Sequence, residues 1–116
     1  MQGRLNSFQK TMLQWNDMHP YNAVHVVRIP GVLGEEQLRL SVNSTLEQRG
    51  LTNLVLDRKQ NSFAYIGGPT DCDVKVIRGG SDPVPALQAE MERQLNMPFL
   101  PAERINPFRV FAVTAN

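Results

Sequence analysis

The sequence has little of what several common protein classes require. It holds one cysteine, Cys72, among 116 residues, so no internal disulfide can form and a reducing compartment is expected. No apolar run approaches the roughly 20 residues of a membrane-spanning helix. The first residues also lack the apolar stretch of a signal peptide. We therefore expect a cytoplasmic protein without a membrane partner.

An excess of one charge is also lacking. The chain carries 12 Lys and Arg against 11 Asp and Glu, a formal net charge of +1, and its basic residues form no cluster that could follow a phosphate backbone. Nucleic acid is therefore not an expected partner. With 41% hydrophobic residues, the chain is long enough for one core, and residues 1–116 are expected to form a single domain.

Side chains that carry out catalysis or bind metals are few. Only His19 and His25 have an imidazole, and neither lies in a motif that pairs a base with a nucleophile. His25 is either a packed structural residue or part of a ligand cavity, and it is the one candidate substrate-binding residue. Cys72 lies between Asp71 and Asp73 without a second thiol or a nearby imidazole. No catalytic residue and no metal site are therefore expected.

Three helices are predicted from capping residues and from apolar residues that recur at helical spacing. Asn6 and Gln9 form a capping-box pattern at the start of the first helix. Gly50 follows the second helix, and Pro83 suits the first position of the third. The predicted ranges are approximately 6–17, 34–49 and 82–96.

Strands are predicted where β-branched and aromatic residues lie between turn residues. Residues 23–29 are apolar on both alternating faces, which is typical of an interior strand covered on both sides. Residues 54–56 and 63–66 flank a polar loop, as in a hairpin. Further strands are expected over 72–76 and 108–113. The pattern predicts an α+β fold, a two-layer sandwich with a mixed sheet and about three helices.

Four short motifs and the second predicted helix stand in an order that one enzyme family shares. The motifs are Leu5-Asn6-Ser7-Phe8-Gln9, Tyr21-Asn22, Pro98-Phe99-Leu100 and Asn106-Pro107-Phe108-Arg109. The stretch that takes part in the match at the second helix is 38–51. In order, the motifs resemble Leu-Ser-x-x-Gln, Tyr-Asn, Pro-Phe-Asp-Leu and Gly-Pro-Leu-x-Arg. These belong to the first half of the family that includes chloramphenicol acetyltransferase and nonribosomal-peptide condensation domains. The resemblance covers most of the chain.

The resemblance implies the N-terminal lobe of a two-lobe acyltransferase. Such enzymes transfer an acyl group from a CoA or carrier-protein thioester to an alcohol or amine, with a general base from a His-His-x-x-x-Asp-Gly motif. That motif is absent here, so this chain alone is expected to be inactive. No cofactor is expected for it, and an acyl-CoA or phosphopantetheine-linked donor would belong to the full-length protein. The expected partners are a C-terminal lobe, in cis or in trans, and a second copy through self-association.

Two residues depart from the family pattern. Leu100 stands where the family usually has Asp, and Thr52 stands close to an Arg that, in condensation domains, pairs with the active-site Asp. The second departure argues against peptide-bond-forming condensation chemistry. Two alternatives remain open: a complete small module that binds a ligand or protein without catalysis, and a two-chain acyltransferase whose other chain carries the His motif.

Overall fold

The computed structural model describes residues 1–100 and 102–115. Its elements, in chain order, are β1 (Gln2–Arg4), α1 (Ser7–Met18), α2 (Glu35–Gln48), β2 (Leu54–Asp57), β3 (Ser62–Tyr65), β4 (Asp73–Arg78), α3 (Val84–Asn96) and β5 (Arg109–Thr114). The α+β class with three helices is confirmed. The strands, however, lie in two sheets rather than in one mixed sheet.

The helices begin and end where local chemistry predicts. The Oδ1 atom of Asn6 accepts from the backbone N–H of Gln9 at 2.8 Å, and the Gln9 side chain accepts from the N–H of Asn6 at 2.9 Å. This capping box satisfies two donors that have no partner inside α1. Gly50, with a φ of 69°, follows α2 in the left-handed conformation that favours glycine. Pro83 takes the N-cap position of α3 instead of its first position, so this helix begins at Val84, one residue later than predicted.

The first sheet is the predicted hairpin with one added strand. β2 and β3 pair antiparallel from Leu54 opposite Tyr65 to Asp57 opposite Ser62, and β1 pairs with the other edge of β3. In the connecting loop, the Asp57 carboxylate accepts from two successive backbone N–H groups at 3.1 and 3.0 Å. The order in this sheet is therefore β1-β3-β2.

The second sheet is a β-α-β unit. β4 and β5 run parallel, with Asp73 opposite Arg109 and Arg78 opposite Thr114, and α3 makes the crossover between them. The chain turns out of β4 at Gly79, where a Cβ would lie 2.8 Å from Pro83 Cα and 2.9 Å from the Thr114 carbonyl oxygen. Only glycine fits that turn without a shift of the backbone.

The predicted strand over 23–29 is wrong. Residues 20–34 contain neither helix nor strand, and Val27 and Val32 expose 77% and 99% of their surface. A strand with two apolar faces is stable only where neighbours pair with its backbone and cover both faces. No described strand lies beside this segment. We call residues 23–33 the arm.

The chain buries little apolar surface. Cys72, 1% exposed, is the only hydrophobic residue fully buried in the described part of the chain. The radius of gyration is 16.0 Å, against about 13 Å for a compact domain of this length. The accessible surface is 8585 Å², against about 6400 Å² for a folded protein of this mass. The elements are therefore arranged around an open concavity rather than a closed core.

Candidate functional site

The C-terminal end of α3 is held by side chains from two distant segments. Asn22 Nδ2 donates to the carbonyl oxygens of Gln94 and Met97 at 3.0 and 2.7 Å. Arg109 Nη2 donates to the same two oxygens at 3.2 and 2.8 Å. Carbonyls at a helix end have no partner within the helix, so these contacts satisfy them. Asn22, just before the arm, and Arg109, at the start of β5, are thereby joined to one helix terminus.

Arg109 is also packed against an aromatic ring. Its Cζ lies 4.0 Å from the centroid of the Phe99 ring, a cation–π geometry. Burial, and secondarily the charge of Arg93, lower the pKa of the Arg109 guanidinium. Its Nε is buried and has no hydrogen-bond partner in the described part of the chain. We call Asn22, Phe99 and Arg109 the α3-end cluster.

The α3-end cluster brings together three of the four short motifs that the sequence singles out. Asn22 belongs to the Tyr-Asn motif, Phe99 to the Pro-Phe-Leu motif and Arg109 to the Asn-Pro-Phe-Arg motif. Leu100, next to Phe99, is exposed. The cluster joins the segment before the arm, the segment after α3 and the start of β5.

Sequence reasoning missed a buried ionic network on α3. Glu90 is 5% exposed and accepts from Arg93 Nη2 at 2.6 Å, from Gln94 Nε2 at 2.8 Å and from Lys75 Nζ at 3.4 Å. The hydrogen bond from Arg93 is the main cause that lowers the pKa of Glu90 to about 2, while burial opposes it. The spacing of Glu90 and Arg93 is typical of a solvated helix face. The alternation of β4 predicts a solvated face that includes Lys75, so the sequence held no signal that Glu90 is covered.

Stability should therefore fall in acid through Glu90. The pKa of Glu90 lies at about 2 in the folded chain, below the ordinary value of 4.5, so its contribution is present above pH 4.5 and is lost as the pH falls toward 2. We expect urea unfolding at several pH values to show this loss in the wild type. Glu90→Gln should weaken the dependence, whereas Glu92→Gln, at an exposed position of the same helix, should leave it unchanged.

Thr52 is a structural residue in the fold. It is 1% exposed, and its Oγ1 donates to the carbonyl oxygen of Gly68 at 2.9 Å. Its own carbonyl accepts from the N–H of Gly67 at 3.1 Å. These bonds connect the chain before β2 to the turn after β3. Position 52 therefore has no space for a long cationic side chain in this fold.

The two histidines lie apart from these contacts. His25 is exposed on the arm, and it is among the residues that line the large concavity of the molecule. His19 is exposed at the C-cap of α1, with its Nδ1 3.1 Å from the Pro20 carbonyl oxygen. The structure does not bring the two imidazoles to a shared nucleophile. The role of His25 in substrate binding stays a prediction.

Cys72 lies in the interior with its sulfur next to backbone. Its Sγ–H donates to the carbonyl oxygen of Phe108 at 3.3 Å. Burial, together with the charges of Asp73 and Asp71, raises the pKa of the thiol, which disfavours the nucleophilic thiolate. Residues 1–100 and 102–115 contain no group of three or more His, Cys, Asp or Glu placed to hold a metal ion.

A large concavity is lined by residues of both sheets, and we call it the trough. It has a volume of about 2260 Å³, and its walls are residues of α1, the arm, β2, β3, α3 and β5. Apolar side chains of the two sheets, including Leu56, Phe63 and Phe111, line it. Arg58 and Asp17, paired at 2.7 Å, lie at its boundary with α1. The trough is therefore an apolar surface that this chain leaves uncovered.

Comparisons with known proteins add no relative. No protein-family model matches the chain, and no curated protein and no solved structure matches it either. None of the helices in the described ranges has both the length and the hydropathy to cross a membrane. Any functional assignment therefore depends on the residues of this chain and on their arrangement.

Proposed function

We propose that this chain is the N-terminal lobe of a cytoplasmic acyltransferase of the chloramphenicol-acetyltransferase and condensation-domain type. The whole enzyme transfers an acyl group from a CoA or carrier-protein thioester to an alcohol or amine. This lobe supplies scaffold and part of the acyl-donor tunnel. A second lobe, in cis or in trans, supplies the His-His-x-x-x-Asp-Gly motif, and this chain is inactive without it.

The observation that carries the proposal is the convergence of motifs in the α3-end cluster. Asn22, Phe99 and Arg109 are separated by up to 87 positions in the sequence, yet all three meet around the end of α3. Their side chains share one contact network, which gives the three motifs a common structural role in this chain and supports the proposal.

The need for a second lobe follows from the chemistry of acyl transfer. Acyl transfer requires a base that takes the proton from the acceptor as its oxygen or nitrogen attacks the thioester carbonyl, after which the thiolate leaves. Among the described residues, neither histidine is held next to the trough by a second group that would make it a base. Thr52, which holds the turn at Gly68, replaces the Arg of condensation domains. This argues against peptide-bond formation as the reaction of the whole enzyme.

The trough supports a role as one part of a larger site. Its apolar walls come from both sheets, and its open side would be closed by a second body. A tunnel formed between two lobes could then hold the acyl chain of the donor away from water. His25 lies on the arm at this wall, where it would contact the donor or the acceptor.

The proposal is tested first by the intact mass of the protein in the organism that produces it, detected with an antibody against this chain. We expect a product of several hundred residues with a His-His-x-x-x-Asp-Gly motif downstream. That product should consume acyl thioesters, and replacement of the second motif histidine by alanine should abolish the activity. A second chain that co-purifies and carries the motif would support the version in trans.

The trough also favours a second candidate, a non-catalytic α+β module that binds a small ligand or a protein. The same experiment separates the two. A native product of this length, without a partner that carries the His motif, would contradict the acyltransferase proposal. Binding of an acyl-CoA to that product, without turnover, would then favour the binding module.

A further inference from the structure

The arm presents apolar side chains to solvent beside an apolar trough. Val26, Val27, Ile29 and Val32 are 48%, 77%, 68% and 99% exposed, and they lie within seven consecutive positions. Single exposed apolar residues are ordinary, but a contiguous group of this kind marks a surface that is covered in the functional state. The arm and the trough wall together form one such surface.

The size of the trough argues against a small molecule as its occupant. Its volume of about 2260 Å³ exceeds the roughly 300–1,000 Å³ of pockets that enclose small ligands. A ligand of ordinary size would leave most of the apolar wall in water. A macromolecular surface, by contrast, could cover the whole wall.

The surface that the chain as a whole leaves uncovered has the magnitude of a permanent interface. The accessible surface of 8585 Å² exceeds that of an average folded chain of this mass by roughly 2,200 Å². Two chains that covered this excess would bury about 4,400 Å² together, within the 2,000–5,000 Å² of obligate dimers. The surface that is available therefore matches what a stable dimer needs.

We propose that two copies of this chain associate, with the arm of each copy packed into the trough of the other. Each copy carries both the apolar arm and the apolar trough, so a two-fold arrangement satisfies both surfaces at once and leaves none open. A net charge of +1 per chain means that two copies do not repel each other appreciably. The apolar arm and trough also fit each other better than they would fit a charged or polar partner.

This inference goes beyond the proposed function and does not rest on it. It depends on the arm and the trough alone, and it concerns the chain of 116 residues. A second lobe of an acyltransferase would cover the same trough and compete with the second copy. A monomeric chain would therefore not contradict the acyltransferase proposal, and a product without acyl-transfer activity would not contradict the dimer.

The test is the molar mass of the chain in solution, measured by sedimentation equilibrium over a range of concentrations. We expect about twice the 13.1 kDa of one chain for the wild type. The double variant V27K/V32K should sediment as a monomer, because both side chains are exposed in the single chain and would be buried between copies. Far-UV circular dichroism checks that the variant keeps its helices.

The matched control is Leu40→Lys. Leu40 is 60% exposed on α2, and it is not among the residues that line the trough. This variant should remain a dimer. A monomeric wild type, open-ended larger assemblies, or a V27K/V32K variant that still dimerises would each overturn the proposal, because each contradicts a closed interface through the arm.

Discussion

Replacement of Arg109 by methionine is expected to lower the free energy of unfolding by about 3 kcal/mol, since charged hydrogen bonds contribute roughly 1.5–3 kcal/mol and a cation–π contact adds to them. Arg109 donates to two carbonyl oxygens at the end of α3 and packs on Phe99. Methionine keeps much of the apolar stem but makes none of these polar contacts. The connection between β5 and α3 would then depend on packing alone.

Urea unfolding monitored by circular dichroism measures this effect. Arg104→Met is the matched control, because Arg104 is exposed in the irregular segment before β5, and it should change stability by less than about 0.5 kcal/mol. The loss of stability in Arg109→Lys should lie between the losses in Arg104→Met and Arg109→Met, since an ammonium lacks the forked donors of a guanidinium. If Arg109→Met matched the control, the α3-end cluster would lose its structural role, and with it the main support for the acyltransferase proposal.

Thr52→Arg is expected to destabilise the chain by more than about 4 kcal/mol, because it would bury a cation without a partner. The side chain at this position is 1% exposed and donates to the Gly68 carbonyl. An arginine side chain could neither fit the buried position nor make the hydrogen bond of the Thr52 hydroxyl to the Gly68 carbonyl. The expected result is a chain without a cooperative unfolding transition at room temperature.

Two milder substitutions make this result interpretable. Thr52→Ser keeps the hydroxyl donor and should retain most of the stability, whereas Thr52→Val leaves the Gly68 oxygen without its donor and should cost about 1–2 kcal/mol. Thermal unfolding compares the three variants. A Thr52→Arg variant as stable as the wild type would mean that the site accepts the condensation-domain residue, and the argument against peptide-bond formation would fail.

The helices and the hairpin could be predicted because their signals are local. Asn6 and Gln9 form the start of α1 with each other, and Gly50 ends α2 through its own backbone conformation. The hairpin of β2 and β3 follows from two apolar runs and a polar loop. Each of these signals acts within a few residues, so it is visible in the sequence before any tertiary contact forms.

Other features depended on residues far apart in the chain. Glu90 looks solvated from its spacing, yet Lys75 on β4 lies across from it, 15 positions away, and the residue is buried. The arm has the composition of an interior strand, but composition reports only that a segment can be covered. Whether it is covered depends on the neighbours that the fold provides. The separation of the strands into two sheets was hidden for the same reason.

The α+β class, the three helices, the hairpin and the scarcity of groups that could do catalysis all follow from the amino-acid sequence. The meeting of Asn22, Phe99 and Arg109 at the end of α3, the burial of Glu90 and the exposure of the arm and trough are visible in the folded chain alone. Capping and periodicity act over one or two turns of chain, whereas burial and clustering depend on which distant segments the fold brings together.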